Sequence, residues 1–151
     1  MAVTYDKTKT GALLGVTPHA SPAKAFVMKN TVDLTGVIPI ATDIYQCLAI
    51  PAGVKVVEVA VKIITPATGT SGTFSVGDGA SAAGWYANTA DCKAAAGTYY
   101  ISANGTDARA VATTNGYLYE AADSIDVTIA ATGPLTAGPK FSIMAWCVDY
   151  R

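Results

Sequence analysis

The side chains in this sequence that could carry chemistry are few, and their spacing works against each use. His19 is the single histidine among 151 residues and stands between Pro18 and Pro22. A serine or cysteine nucleophile needs a base held rigidly beside it, and a histidine in such a segment cannot supply that. Glu58 and Glu120 are the two glutamates. A glycosidase needs a pair of carboxyl groups facing each other across a cleft, whereas Glu58 falls on the water side of a strand pattern and Asp123 and Asp126 flank a turn. Gly77-Asp78-Gly79 supplies one carboxylate where a calcium loop needs several oxygen ligands at alternating spacing. No glycine-rich loop ending in Gly-Lys-Ser or Gly-Lys-Thr is present to cradle phosphate. That segment is expected to be a tight turn whose glycines provide positive φ. Cys47, Cys92 and Cys147 lie far apart, without a CxxC spacing or a companion histidine, so neither zinc nor a disulfide framework is indicated. Cys47 and Cys147 fall in apolar strand patterns and read as core residues, while Cys92 falls in a polar loop and reads as the reactive thiol. No catalytic residue, metal or cofactor is expected, and the chain does not read as an enzyme.

Binding residues are easier to find. Trp85, Tyr86, Tyr99 and Tyr100, with Tyr117 and Tyr119 close by, cluster near expected loops. Aromatic side chains there either hold a sugar or a partner protein or cap the ends of a core. Residues 1–30 hold Lys7, Lys9, Lys24 and Lys29 against Asp6, a net +3, which leaves −4 for the rest of the chain. A basic arm on an acidic body is a docking device or a solvated face. These four lysines and the first four aromatics are the candidate partner-binding residues.

The elements that must position them read as strands. The clearest pattern is Val57, Val59, Val61 and Ile63 alternating with Glu58, Ala60 and Lys62, the period of two that turns one strand face to a core. Ile125, Val127 and Ile129 alternate with Asp126 and Thr128 in the same way. Phe141, Ile143, Ala145 and Cys147 share a face, and Met144, Trp146 and Val148 make the other face apolar too, so this strand is expected to be central or covered on both sides. Further strands are expected at Val32–Ile40, Ile44–Ile50, Gly72–Val76, Thr98–Ser102 and Tyr117–Glu120, with a short turn around Ala80–Asn88. Pro51-Ala-Gly53, Thr65–Gly72, Asn104-Gly105, Asn115-Gly116 and Gly133-Pro134 punctuate them. Many short strands with such punctuation make an all-β protein: an antiparallel, jelly-roll-like β-sandwich over residues 31–151, preceded by an extended N-terminal arm over residues 1–30.

Composition narrows the partners. Charged residues are 14% of the chain and hydrophobic ones 51%. With typical charged content about 25%, part of this surface is expected to be buried by other proteins. The net charge of −1 has no clustered lysine or arginine footprint for nucleic acid. No apolar run approaches the roughly 18 residues of a membrane span, and no secretory signal is expected.

Several phrases occur in a telling order: Ile44-Tyr-Gln-Cys-Leu-Ala-Ile-Pro-Ala-Gly53, Val54-Lys-Val-Val-Glu-Val-Ala-Val-Lys-Ile63, Gly72-Thr-Phe-Ser-Val-Gly-Asp-Gly79 leading to Gly84-Trp-Tyr86, Tyr119-Glu-Ala-Ala-Asp-Ser-Ile-Asp126, and the terminal Ala145-Trp-Cys-Val-Asp-Tyr150. Over residues 32–150 the chain resembles the small β-sandwich head-decoration, or cement, proteins of tailed phages. The resemblance implies a virion protein without catalytic residues, made in the host cytoplasm and seated on the capsid exterior. It implies the major capsid protein and further copies of the chain, commonly as a homotrimer, as partners. Related sandwiches occur in tails and fibres, which gives a second expectation: binding of a host-surface glycan or receptor, with Trp85, Tyr86, Tyr99 and Tyr100 in an exposed groove.

Overall fold

The computed structural model describes residues 4–6, 24–102, 116–130 and 133–151. Their strands are β1 (Thr4–Asp6), β2 (Lys24–Asp33), β3 (Ile44–Ile50), β4 (Val54–Thr65), β5 (Thr68–Gly69), β6 (Thr73–Gly77), β7 (Tyr86–Asp91), β8 (Tyr99–Ile101), β9 (Tyr117–Tyr119), β10 (Asp123–Ala130), β11 (Leu135–Ala137) and β12 (Lys140–Asp149). No α-helix occurs among the described residues.

Two five-stranded sheets face each other. One runs β1-β3-β10-β6-β7; the other runs β2-β12-β4-β8, with β9 also on β4. β5 and β11 form a separate small ribbon. Every pairing is antiparallel except β1 with β3. Taken as β2, β3, β4, β6, β7, β8/β9, β10 and β12, the main strands distribute as β2-β12-β4-β8/β9 over β3-β10-β6-β7. This is the order of an eight-stranded jelly roll.

The core lies between the inner faces. Phe141, Ile143, Ala145 and Cys147 of β12 meet Ile125, Val127 and Ile129 of β10, with Phe74, Val76 and Tyr45 filling between them. Phe74 stacks on Phe141 at 6.5 Å and takes Tyr100 edge-on at 5.5 Å. Polar bonds lace the sandwich at both sides. Asn30 Nδ2 of β2 donates to the Cys47 carbonyl of β3, and Tyr100 Oη of β8 donates to the Asp91 carbonyl of β7.

Several expectations shift here. The strand expected at Val32–Ile40 stops at Asp33, whose Oδ1 accepts from both the backbone N and Oγ1 of Thr35 and turns the chain. The same strand starts at Lys24, inside the segment read as an arm, and pairs with β12 from end to end. Tyr86–Asp91, expected to be turn as far as Asn88, is a strand because its backbone pairs with β6.

The alternation in β4 also slips. Trp146 of β12 pairs with Glu58 and Cys147 pairs with Val56, so Val57 is an extra residue in a β-bulge. Val54 and Val56 face the core before it, Val59, Val61 and Ile63 after it, and Val57 is 43% exposed instead of inward. A second bulge, at Cys47 opposite Ile125 and Asp126, lets both Cys47 and Leu48 be buried.

Candidate interaction surface

The outer face of the β2-β12-β4-β8/β9 sheet gathers most of the exposed large hydrophobic side chains among the described residues. Inward residues alternate with outward ones, so register alone fixes what the outside presents. Trp146 lies across from Val27 on one side and Glu58 on the other, Ile101 is opposite Ala60, and Leu118 is opposite Lys55. Val27, Val57, Tyr99, Ile101, Leu118 and Trp146 are between 38% and 51% exposed on this one face. Met144 and Val148 are half-buried among them. The last strand is therefore central within its sheet, as its two apolar faces suggested, but its outer face is not covered by the other described residues.

Charged side chains border the patch, and Glu58 stands within it beside Trp146. Lys140 pairs with Asp33 at 3.0 Å. Lys62 holds its Nζ 5.1 Å from the Tyr99 ring centroid, a cation–π contact. Lys29 and Lys55 complete the outer face, with Glu58 the carboxylate nearest Trp146.

The sequence-based binding residues scatter over the molecule. Lys7 and Lys9, like His19, lie outside the described residues. Lys24 opens β2 opposite Asp149, and Lys29 projects from the same strand into the outer face described above. Trp85 is a correction: it is fully buried, and its Nε1 donates to Tyr119 Oη, which donates to Asp78 Oδ2. That chain of bonds ties the two sheets at one end, so Trp85 serves the core and cannot line an open groove. Tyr86 and Tyr100 are half-buried and pack against each other at 5.7 Å, whereas Tyr99 is exposed. The four aromatics therefore do not form one site.

Other readings change as well. Asp78 accepts from the backbone N–H groups of Ala80 and Ser81, which makes the expected turn. Its glycines, however, do not have positive φ. Gly77 is needed because a Cβ there would lie 1.9 Å from the Ser81 carbonyl oxygen, so the turn folds down onto the bare backbone. Cys92 is buried, and desolvation pushes its thiol up to about 11 with the Asp91 charge adding to the shift. It is not the reactive thiol expected from its polar neighbours. Cys47 and Cys147 are core residues, and burial pushes the Cys147 thiol up to about 12. Asp126, expected on the water side of its strand, is buried and accepts from Ser124 Oγ at 2.6 Å. Desolvation chiefly, with the Asp123 and Asp78 charges, raises its carboxyl to about 6. Among the described residues no group of three His, Cys, Asp or Glu side chains is arranged to hold a metal ion.

The sequence signal for the outer face was partial. Met144, Trp146 and Val148 announced it, but Val27 lay in the segment read as an arm, Val57 in a pattern read as inward, and Ile101 and Leu118 in short strands.

The fold defines a class, the two-sheet jelly roll. No protein-family model matches the sequence, and no curated protein matches it. Two solved structures share the fold. One is described as the capsid of Ralstonia phage GP4, at TM-score 0.65 and 20% identity, with 95% of this chain and 97% of that chain aligned. The other is the capsid asymmetric unit of cyanophage Pam1, at TM-score 0.60 and 19% identity, with 91% and 92% aligned. Identity at this level establishes a common fold and leaves function to the surfaces.

Proposed function

We propose that this chain is a structural protein of a phage particle, a decoration or cement protein that binds the outside of the capsid and stabilises seams between major capsid subunits. The observation that carries the reading is the full-length match, in both directions, to jelly-roll chains in two phage capsid structures. A partial match could reflect a common β-sandwich motif; near-complete coverage of each chain means that the fold is shared over nearly the whole chain, which supports the reading. The exposed apolar sheet face and the low charge content suit a protein that works by being partly buried in an assembly. The aromatic positions read as a glycan groove are instead divided between core and surface, which leaves the tail-adhesion reading without its central residue.

In this reading the partners are the major capsid protein and further copies of the chain, assembled as a homotrimer. Residues ahead of Lys24 act as a tether, adding contacts that a globule alone does not reach. Cryo-electron microscopy of the parent phage tests the proposal. Density of this sandwich at symmetry-related seams on the outer shell supports it; density confined to the tail, or none on the particle, overturns it.

A further inference from the structure

Resting on the decoration reading, we propose that the outer face of the β2-β12-β4-β8/β9 sheet is the surface that docks on the shell, and that it meets a carboxylate-bearing apolar surface of a capsid subunit. Size comes first. β12 runs ten residues, so a face four strands wide measures roughly 33 Å by 19 Å, about 600 Å² in projection. Specific interfaces take about 800 Å² from each partner, and side-chain relief makes the accessible area larger than the projected one. The face is the right size by itself.

Its make-up is that of an interface centre. Val27, Val57, Ile101, Leu118 and Trp146 form the apolar middle, with a tryptophan at the centre, the residue type that most often anchors an interface. The charges then choose the occupant. Once Lys140 and Asp33 have paired, Lys29, Lys55 and Lys62 are set against Glu58 on this face. Elsewhere on the described surface Asp91, Glu120, Asp123 and Asp149 stand against Lys24, Lys93 and Arg151, close to balance, while Asp43, Asp78 and Asp126 are buried. The face, with three lysines against one glutamate, is thus the basic part of the described surface. Two copies meeting through it about a two-fold axis would bring lysines onto lysines, which disfavours a second copy as the occupant. A surface carrying carboxylates around an apolar centre matches it.

Empty shells of the parent phage assembled without this chain are the probe, with co-sedimentation giving affinity and light scattering giving oligomeric state. The double substitution Lys55→Glu/Lys62→Glu should weaken shell binding at least tenfold and leave melting temperature and oligomeric state unchanged. Ala49→Glu, on the exposed outside of the opposite sheet, should bind as the unaltered chain does. If the double variant binds normally while the unaltered chain binds, the docking face is elsewhere and the decoration reading survives. If the double variant changes the oligomeric state, the face joins copies to each other and this inference falls. Failure of the unaltered chain to bind shells removes both.

Discussion

Asp126 shows what one buried carboxyl does to the pH behaviour of a sandwich. Unfolded, it titrates at about 3.8; folded, desolvation holds it near 6. Between those values the folded chain keeps a proton that the unfolded chain has lost, so its contribution to stability falls as pH rises from about 4 to about 6 and stays low above that. Asp33 and Asp149 work in the opposite sense. Thr35 and Lys140 hold Asp33, and Arg151 holds Asp149, at about 2, so their contribution is present above the usual aspartate value and lost as pH falls through 2. Asp126→Asn, which keeps an acceptor for Ser124, should stabilise the fold at neutral pH by on the order of 2 kcal/mol and make little difference near pH 3.5. Thermal melts of the two chains at both pH values check this, and equal melting at neutral pH would mean the carboxylate is well solvated. Tyr119→Phe removes the hydroxyl between Trp85 and Asp78 and should cost about 2 kcal/mol by leaving buried polar atoms short of a partner. Denaturant titration measures it. The thiols give a third test at this scale. Cys47, Cys92 and Cys147 are all buried with raised thiol pKa values, so Ellman's reagent should label them at the rate of unfolding. Rapid labelling of Cys92 in the native chain would contradict its burial.

At the scale of elements, the turn after β6 and the bulge in β4 carry the clearest consequences. Gly77→Ala places a methyl carbon within 2.3 Å of backbone atoms of Ser81 and Ala82 and should destabilise by about 3 kcal/mol, a cost typical of forced backbone rearrangement. Gly79→Ala meets only the side chain of Asp123, at 3.0 Å. That side chain can shift, so the second variant should melt close to the unaltered chain. If the two variants melt alike, the turn does not sit on Gly77 as described. The bulge at Val57 explains why period-two reading found β4 yet misassigned one of its valines: a pattern read from one end loses phase where an extra residue enters. β2 was hidden for a related reason. Its inward positions are Phe26, Met28, Asn30 and Val32, and its outward ones include Ala25 and Val27, so a polar residue inside and apolar residues outside blurred the alternation. Its identity as a strand comes from pairing with β12.

For the whole molecule, the two sheets divide the work. One outer face is apolar and basic, and the exposed charges on the remaining described surface nearly balance, so the charge that steers docking is concentrated on one side. Removing residues 1–23 takes away β1 and leaves β2 whole, so the truncated chain should fold, retaining its β-sheet circular dichroism, while its occupancy on shells falls. Undiminished occupancy would show that this segment is not a tether. A cut at residue 30 is a different experiment, because it removes most of the strand that pairs with β12. The alternation of hydrophobic residues and the turn residues between them fixed an all-β sandwich, because these depend on neighbours within a few positions in the chain. The jelly-roll order, the bulges at Val57 and Cys47, the burial of Trp85, Cys92 and Asp126, and the assembly of Val27, Val57, Ile101, Leu118 and Trp146 into one surface were decided by tertiary structure. Each depends on which distant strand lies alongside and in what register, and local periodicity carries no record of that.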